Sequence, residues 1–307
     1  MRESELRGRA STWMVSLAAV ALFAGGCSVS TRHVVKPGEA PGPALTASPY
    51  DLQLRYEQET LAVNSINATV SMKLTAGSAY SGVIEQYHEV NGFILASRPA
   101  NIRVIGQAPV VGKNIFDMVS DGKTFRIFIP SKNKFIEGRA DLRRPANKPV
   151  ENLRPQHLFE ALIWDILSGG KADGVLFEEA EEGNSRYYIL TGIKQGFVGT
   201  RNALIPYGFY ISRKIWFDRS DLRVARIQLY TPLGNVDSDI RYADWQPAGD
   251  ISYPREITIK RPGDDYKLEI TIKKLTLNES ISADRFVLEQ PKGSELVRVG
   301  EEAKEQP

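Results

Sequence analysis

The feature that most restricts what this chain can fold into is a two-residue hydrophobic period that returns in run after run. In "YKLEITIKKLTL", 266–277, Leu268, Ile270 and Ile272 alternate with Lys267, Glu269, Thr271 and Lys273; in "VARIQLYT", Ala225, Ile227 and Leu229 stand opposite Arg226, Gln228 and Tyr230. A strand points successive side chains to opposite faces, so each run predicts a strand with one wet face. Similar runs occupy 68–74, 83–90, 101–106, 115–119, 125–129, 187–192, 211–218, 236–243 and 256–261. Turn residues separate them, as Asp121-Gly122 does between two runs, a strong hairpin signal. About ten sequential strands joined in this way predict a mainly β chain: a strongly curved antiparallel sheet forming an incomplete barrel. No internal repeat is present.

Two segments break the period. "YDLQLRYEQETLAVNSI", 50–66, predicts an N-terminal helix. In "RPQHLFEALIWDIL", 154–167, Pro155 suits a first helical turn, and Leu158, Phe159, Leu162, Ile163, Ile166 and Leu167 form a stripe at helical spacing. That stripe needs an apolar surface, and the flanking strands supply one. The second helix is therefore expected to close one side of the sheet as a lid.

The only cysteine, Cys27, lies in "ALFAGGCSVS". A disulfide needs a second cysteine, a structural zinc site needs several ligands at close spacing, and a nucleophile needs a base in a folded site. What precedes it is a secretory leader: Arg2, Arg7 and Arg9, then the apolar "WMVSLAAVALFAGG" ending in small residues. The apolar run is too short to span a bilayer comfortably. The order Leu22, Phe23, Ala24, Gly25, Gly26, Cys27 resembles the lipobox of bacterial lipoproteins, in which the thiol receives a diacylglyceryl group and the chain is cut just before it. Residues 1–26 are thus expected to be a signal peptide. Cys27 is expected to carry the diacylglyceryl and an N-acyl group, which are the only attached groups expected. Stable anchoring needs more than one acyl chain, and a lipoprotein carries two or three. Ser28 after the cysteine implies, by the same resemblance, sorting to an outer membrane.

Residues 27–49 hold Pro37, Pro41, Pro43 and Pro49 with Gly38 and Gly42 and no hydrophobic period, which reads as a tether with a reach on the order of 25 Å. Residues 293–307 are charged and expected to fray, leaving 50–292 as the folded domain. Lys and Arg total 39 against 37 Asp and Glu, and no basic block stands out, so nucleic acid is not an expected partner.

Catalytic signals are absent. His33, His88 and His157 neither cluster nor take a metal-binding spacing, and there is no nucleophile elbow, zinc-protease motif, phosphate loop or dinucleotide fingerprint. Hence no catalytic residue, no metal and no enzyme activity are expected. What stands out is apolar material in segments punctuated as loops: Val110 and Val111 between Pro109 and Gly112, Phe197 and Val198 between Gly196 and Gly199, and Leu233 in "YTPLGNV". Such tips either fold back on the core or meet a lid, a membrane or a partner.

An N-terminal helix leading into strands is followed by "RPANIRVIGQAPVVGKNIFDMVSDGKTFRIFIPSKNKF", a mid-chain helix, "KIWFDRSDLRVARIQLYTPLGNV", "YPREITIKRP" and a closing "FVLEQPKG". In this order, residues 51–291 resemble the periplasmic lipoprotein-handling proteins LolA and LolB, whose relatives include the N-terminal domain of RseB and mycobacterial lipid carriers of the LppX type. The resemblance implies an incomplete antiparallel β-barrel closed by helices around a hydrophobic cavity for acyl chains. Within that family the outer-membrane acceptor is itself a lipoprotein, so Cys27 favours the acceptor type. The acceptor's protruding Pro-Leu-Gly loop corresponds to Pro109, Val110, Val111 and Gly112, with one extra residue and Val for Leu, which implies that Val110 and Val111 face the membrane. The chain has extra material around 138–153 and 193–210.

The cavity side is expected to include Phe116, Phe125, Ile127, Phe159, Leu162, Ile163, Trp164 and Trp216. The implied protein is a monomer anchored in the outer membrane and facing the periplasm. Its partners would be a membrane lipid or an acylated lipoprotein, with a periplasmic carrier protein as a further partner. The alternative reading is an envelope sensing or assembly lipoprotein that uses the half-barrel as a docking surface.

Overall fold

The computed structural model describes residues 43–78, 83–140, 152–167, 174–200 and 203–299, which lie in one compact unit, Pro41–Pro307. The leader, Cys27 and most of the tether fall outside the described residues. Helix α1 (Pro49–Ala62) starts at a capping box: Ser48 Oγ accepts from the Asp51 amide at 3.2 Å, and Asp51 Oδ2 accepts from the Ser48 amide at 3.3 Å. Pro49 sits at the first helical position, where its missing N–H is no loss. Leu52, Tyr56 and Thr60, four apart, form its buried stripe.

The chain then builds β1 (Ser65–Ser78), β2 (Val83–Gln86), β3 (Val90–Ser97), β4 (Asn101–Gln107), β5 (Asn114–Ser120), β6 (Thr124–Ile129) and β7 (Lys134–Arg139). Helix α2 (Pro155–Leu162) follows. The second half holds β8 (Gly174–Glu182), β9 (Ser185–Thr200), β10 (Ala203–Asp218), β11 (Val224–Tyr230), β12 (Val236–Ala248), β13 (Ile251–Arg261), β14 (Tyr266–Leu277) and β15 (Glu295–Val299). All belong to one sheet, in the order β15-β7-β6-β5-β4-β3-β1-β14-β13-β12-β11-β10-β9-β8, with β2 also on β1. Every pairing is antiparallel except β15 with β7. The two halves of the sheet meet where β1 pairs with β14, from Ile66 opposite Leu277 to Ala76 opposite Tyr266.

The sheet is open and curved, and the contacts of α2 show why it must be. Arg154 at its N-cap lies over the Phe125 ring on β6, while the Ala161 carbonyl accepts from Tyr242 on β12. Seven strand spacings separate β6 from β12, on the order of 34 Å if flat. An eight-residue helix is only about 12 Å long. The sheet therefore wraps around the helix, and a single core forms between them. Ile94, Ile102, Val104, Met118, Leu190, Ile215, Phe217, Ile240, Ile257, Ile259, Leu268 and Ile270 supply the sheet side, and Leu52, Tyr56, Leu158, Phe159 and Leu162 the helix side.

Strands β1, β4, β6, β9, β11 and β13 run one way and their neighbours the other, so the turns that follow them share one end of the sheet, here the distal end. The proximal end carries the other turns and the entry of the N-terminal segment, where the Leu45 amide donates to Arg219 O at 2.7 Å.

Three expectations need correction. The tail beyond 292 is not frayed throughout: Glu295–Val299 is a strand on β7, opened by the Glu295 amide donating to Asn133 O at 2.9 Å. Just before it, Leu288 packs with Val119 and Phe135 in a second small core on the outer face. The run 83–90 is broken at Tyr87–Glu89 into β2 and β3, which leaves His88 outside a strand. The 154–167 helix stops at Leu162, because Ile163 and the residues after it turn extended to bring Trp164 and Leu167 into the core.

Candidate functional site

The lid is held at its C-terminal end by side chains from four elements. The last carbonyls of a helix have no partner within it. Here Tyr242 Oη donates to Ala161 O at 3.0 Å and Tyr253 Oη to Leu162 O at 2.7 Å. Beyond the helix, Arg98 Nη2 donates to Trp164 O at 2.7 Å, and Asp165 O accepts from Tyr56 Oη at 2.8 Å and from Arg213 Nη1 at 2.9 Å. Arg98 also reaches Thr60 O and Val63 O at the end of α1, so one guanidinium ties both helix C-termini. Burial pushes the phenols of Tyr56, Tyr242 and Tyr253 up, which keeps each a donor.

Beneath this latch lies the apolar interior. Phe159, Leu162, Ile163 and Trp164 are buried in it, Phe116 and Ile127 pack against it half-buried, and Phe125 is buried beneath the Arg154 guanidinium. Trp164 stacks on Tyr56 with centroids 5.7 Å apart and meets Tyr242 and Trp245 edge-on at 5.2 and 6.1 Å. A cavity of about 10 Å³, room for one water-sized occupant, remains between Glu59, Thr60, Leu162, Trp164, Trp245 and Tyr253. The one expected cavity residue placed elsewhere is Trp216. Its neighbours Ile215 and Phe217 take the core side, and the pleat turns Trp216 to the outer face.

The N-terminal end of the lid meets a charged cluster. His157 Nδ1 and Tyr266 Oη share a hydrogen bond at 2.7 Å, and Asn152 Nδ2 donates to Asp264 O at 3.1 Å. Nearly buried Arg261 donates to Asp237 at 3.0 Å, Asp264 at 2.8 Å and Ser238 Oγ at 2.8 Å. Burial lowers the His157 imidazole well below its ordinary value, and Arg261 and Arg154 add to this. Burial raises the Glu160 carboxyl to about 7, with Asp237 and Asp165 pushing the same way and Arg261 and Arg213 opposing.

At the distal end, the turn between β4 and β5 presents Val110, 106 % exposed, and Val111, 75 % exposed. Val110 has φ 64°, a left-handed conformation that a β-branched residue adopts only under strain. Leu233, 88 % exposed, stands in the turn between β11 and β12. Residues 196–200 belong to β9 rather than to a loop, and the side chains of Phe197 and Val198 lie outside the described residues.

The outer face carries two further features. Trp216 sits under the Arg226 guanidinium at 5.0 Å, edge-on to Tyr187 at 5.5 Å, and donates to Gln228 Oε1 at 3.2 Å; Arg226 forms a two-bond pair with Asp239 at 2.7 and 2.5 Å. A polar groove of about 290 Å³ runs between Ser71, Lys73, Glu89, Glu256, Thr258 and Glu269. Among the described residues no group of three His, Cys, Asp or Glu side chains could hold a metal ion, and no helix is long and apolar enough to cross a membrane.

Sequence reasoning missed the latch. Its signal was present: Tyr242 is in phase with Ile240, and Tyr253 with Ile257 and Ile259, so both phenols fall on the buried face and need partners.

No family model and no curated protein sequence matches the chain. Solved structures do. A LolA superfamily protein from Nitrosomonas europaea is 11% identical, with 79% of this chain and 99% of that one covered, at TM-score 0.45. A DUF1329 family protein from Desulfovibrio piger is 12% identical, over 78% and 95%, at TM-score 0.48. A domain from Vibrio parahaemolyticus described as a putative outer membrane lipoprotein-sorting protein is 10% identical, over 77% and 94%, at TM-score 0.44.

Proposed function

We propose that this chain is a lipid-anchored carrier that takes up a lipid, or the acyl chains of a lipoprotein, beneath the α2 lid, for transfer to or retention at the outer membrane. The observation that carries the reading is the lid itself. A short amphipathic helix covers an apolar concave face and is fastened there by side-chain donors to its terminal carbonyls, each of which water could replace. The pocket at the latch holds only about 10 Å³, whereas ligand pockets run to several hundred. Uptake therefore means that α2 lifts and an acyl chain takes its place against Phe116, Phe125 and Ile127. Such exchange swaps one apolar packing for another, so the carrier needs no catalytic group.

The leader and lipobox around Cys27 supply the anchor, and the exposed Val110–Val111 turn supplies the contact through which cargo passes to the bilayer. Native mass spectrometry of the full chain carrying Cys27→Ser, produced in a two-membrane bacterium, tests the reading. A co-purifying lipid mass is expected; a chain that stays empty even after incubation with fatty acid or phospholipid overturns it.

A second reading has its own observation. Trp, Tyr and Arg dominate protein-docking hot spots, and Trp216, Tyr187 and Arg226 form such a group on the face away from the lid. If the chain works by docking a partner, Trp216→Ala abolishes its envelope function while lipid uptake stays intact.

A further inference from the structure

The two exposed apolar turns are set at the same end of the sheet. Strands β4 and β11 are six steps apart in the sheet order, with every intervening pairing antiparallel, so they run the same way and the turns that follow them both lie at the distal end. Both turns are built alike. Pro109 and Gly112 flank Val110 and Val111, and Pro232 and Gly234 flank Leu233. Gly112 and Gly234 take φ 62° and 84°, which lets each turn reverse tightly and leaves its apolar residue at the tip. Also near this end, Ile84 on β2 and Tyr87 just after it are exposed.

The proximal end is different. Its turns read Asp121-Gly122-Lys123, Gly183-Asn184, Arg219-Ser220-Asp221 and Gly249-Asp250. The large apolar residue there, Leu222, packs partly buried against the core. Exposed apolar tips are thus confined, among the described turns, to one of the two ends.

We infer that the two apolar turns of the distal end are membrane-contacting points, with Leu233 as a second insertion point besides the Val110–Val111 turn, and that their occupant is the interface of a lipid bilayer. This extends the carrier reading and rests on it. The spacing selects the occupant. A protein partner is gripped by a contiguous apolar patch with a polar border. Here the tips follow strands six steps apart in the sheet order, with the polar Gly263-Asp264-Asp265 turn between them at the same end, and they stand singly among Gln107, Lys113 and Asn114 on one side and Thr231 and Asn235 on the other. A bilayer interface accepts isolated apolar residues wherever they reach it, and two separated points fix the tilt of the domain where one leaves it free to roll. The strain at Val110 fits the same account, because Gly or Asn would occupy that position without cost and only an outward apolar side chain gives a reason to place Val there.

Cys27→Ser leaves the full chain without a thiol, so one new cysteine can carry an environment-sensitive fluorophore at a chosen site. The probe membrane is vesicles of phosphatidylethanolamine and phosphatidylglycerol, with Leu61→Cys on α1 as the control position. Labels at Val110→Cys and Leu233→Cys are both expected to shift to an apolar environment on vesicle addition, while the label at 61 stays aqueous. In the unlabelled Cys27→Ser chain, Leu233→Glu is expected to weaken vesicle binding by about tenfold. Position 233 is almost fully exposed, so the substitution leaves the fold intact, which circular dichroism verifies. A response at 110 alone overturns the second insertion point and leaves the carrier reading standing. Silence at both positions overturns both, and an equal response at 61 overturns the confinement of contact to the rim.

Discussion

At Tyr242 and Tyr253 a single oxygen atom separates a fixed lid from a loose one. Each hydroxyl ends a ring that is otherwise core, and each satisfies a carbonyl that the helix cannot. Replacing both with Phe keeps the packing and unpairs three groups, the two carbonyls and the Trp164 indole N–H that donates to Tyr242 Oη at 2.9 Å, at a cost of about 1–3 kcal/mol each. The double variant is expected to unfold at lower urea and to take up a fluorescent fatty acid faster than the parent; slower uptake would contradict the lid mechanism. Glu160 and His157 give the lid opposite responses to pH. The Glu160 carboxyl is raised to about 7, so its contribution is fully present below about 4.5 and is lost as pH rises through 7. His157 is lowered, so the folded state loses stability as pH falls below about 6.5. Glu160→Gln should therefore gain stability over the parent progressively from pH 4.5 to 7, read from urea midpoints across that range. These roles were only half legible in the sequence. Phase along a strand tells that Tyr242 is buried, but the carbonyl it meets belongs to a helix 81 residues away.

The elements themselves were easier to read where one face stays wet. β4 and the first seven residues of β14 alternate cleanly because one face lies on the core and the other toward water. β8 escaped because its run of glutamates looks like a solvated loop. In the structure those glutamates pair with bases from beyond β9, Glu178 with Lys214 on β10 at 2.7 Å and Glu179 with Arg219 in the turn after β10 at 2.8 Å. β15 escaped because a parallel edge strand of five residues has too little pattern to show, and what holds it is β7, some 160 residues earlier. Its role gives a prediction. A chain ending at Asn278 loses both β15 and Leu288, exposing Val119, Phe128 and Phe135, and is expected to melt several degrees lower and to aggregate on concentration. An unchanged melting temperature would mean that the C-terminal segment is dispensable.

For the molecule as a whole, the curved sheet and its lid were legible from period and order, whereas the placement of cavity residues was not fully so. Trp216 shows why: parity within a strand fixes which residues share a face, yet only the partner strands decide which face is inside. At this scale the first test is the anchor. Labelled palmitate should enter the parent chain and be lost in Cys27→Ser, and label retained by the variant would place the modification elsewhere. The hydrogen bond between Leu45 and Arg219 then sets a measure of length. It fixes Leu45 at the proximal end, so under the proposed anchoring at Cys27 the lipid would join the chain at the end opposite Val110 and Leu233. The 18 residues from Cys27 to Leu45 span at most about 60–65 Å. A strand such as β12, with 13 residues, stands about 44 Å tall. That contour length exceeds the height of the sheet by roughly 20 Å, so an anchor at Cys27, as proposed, would leave enough chain for the far edge to reach the anchoring membrane. Deleting ten residues of that leash leaves less than 30 Å, shorter than the sheet, and converts the same molecule into one whose apolar edge can only face away, toward whatever stands across the gap.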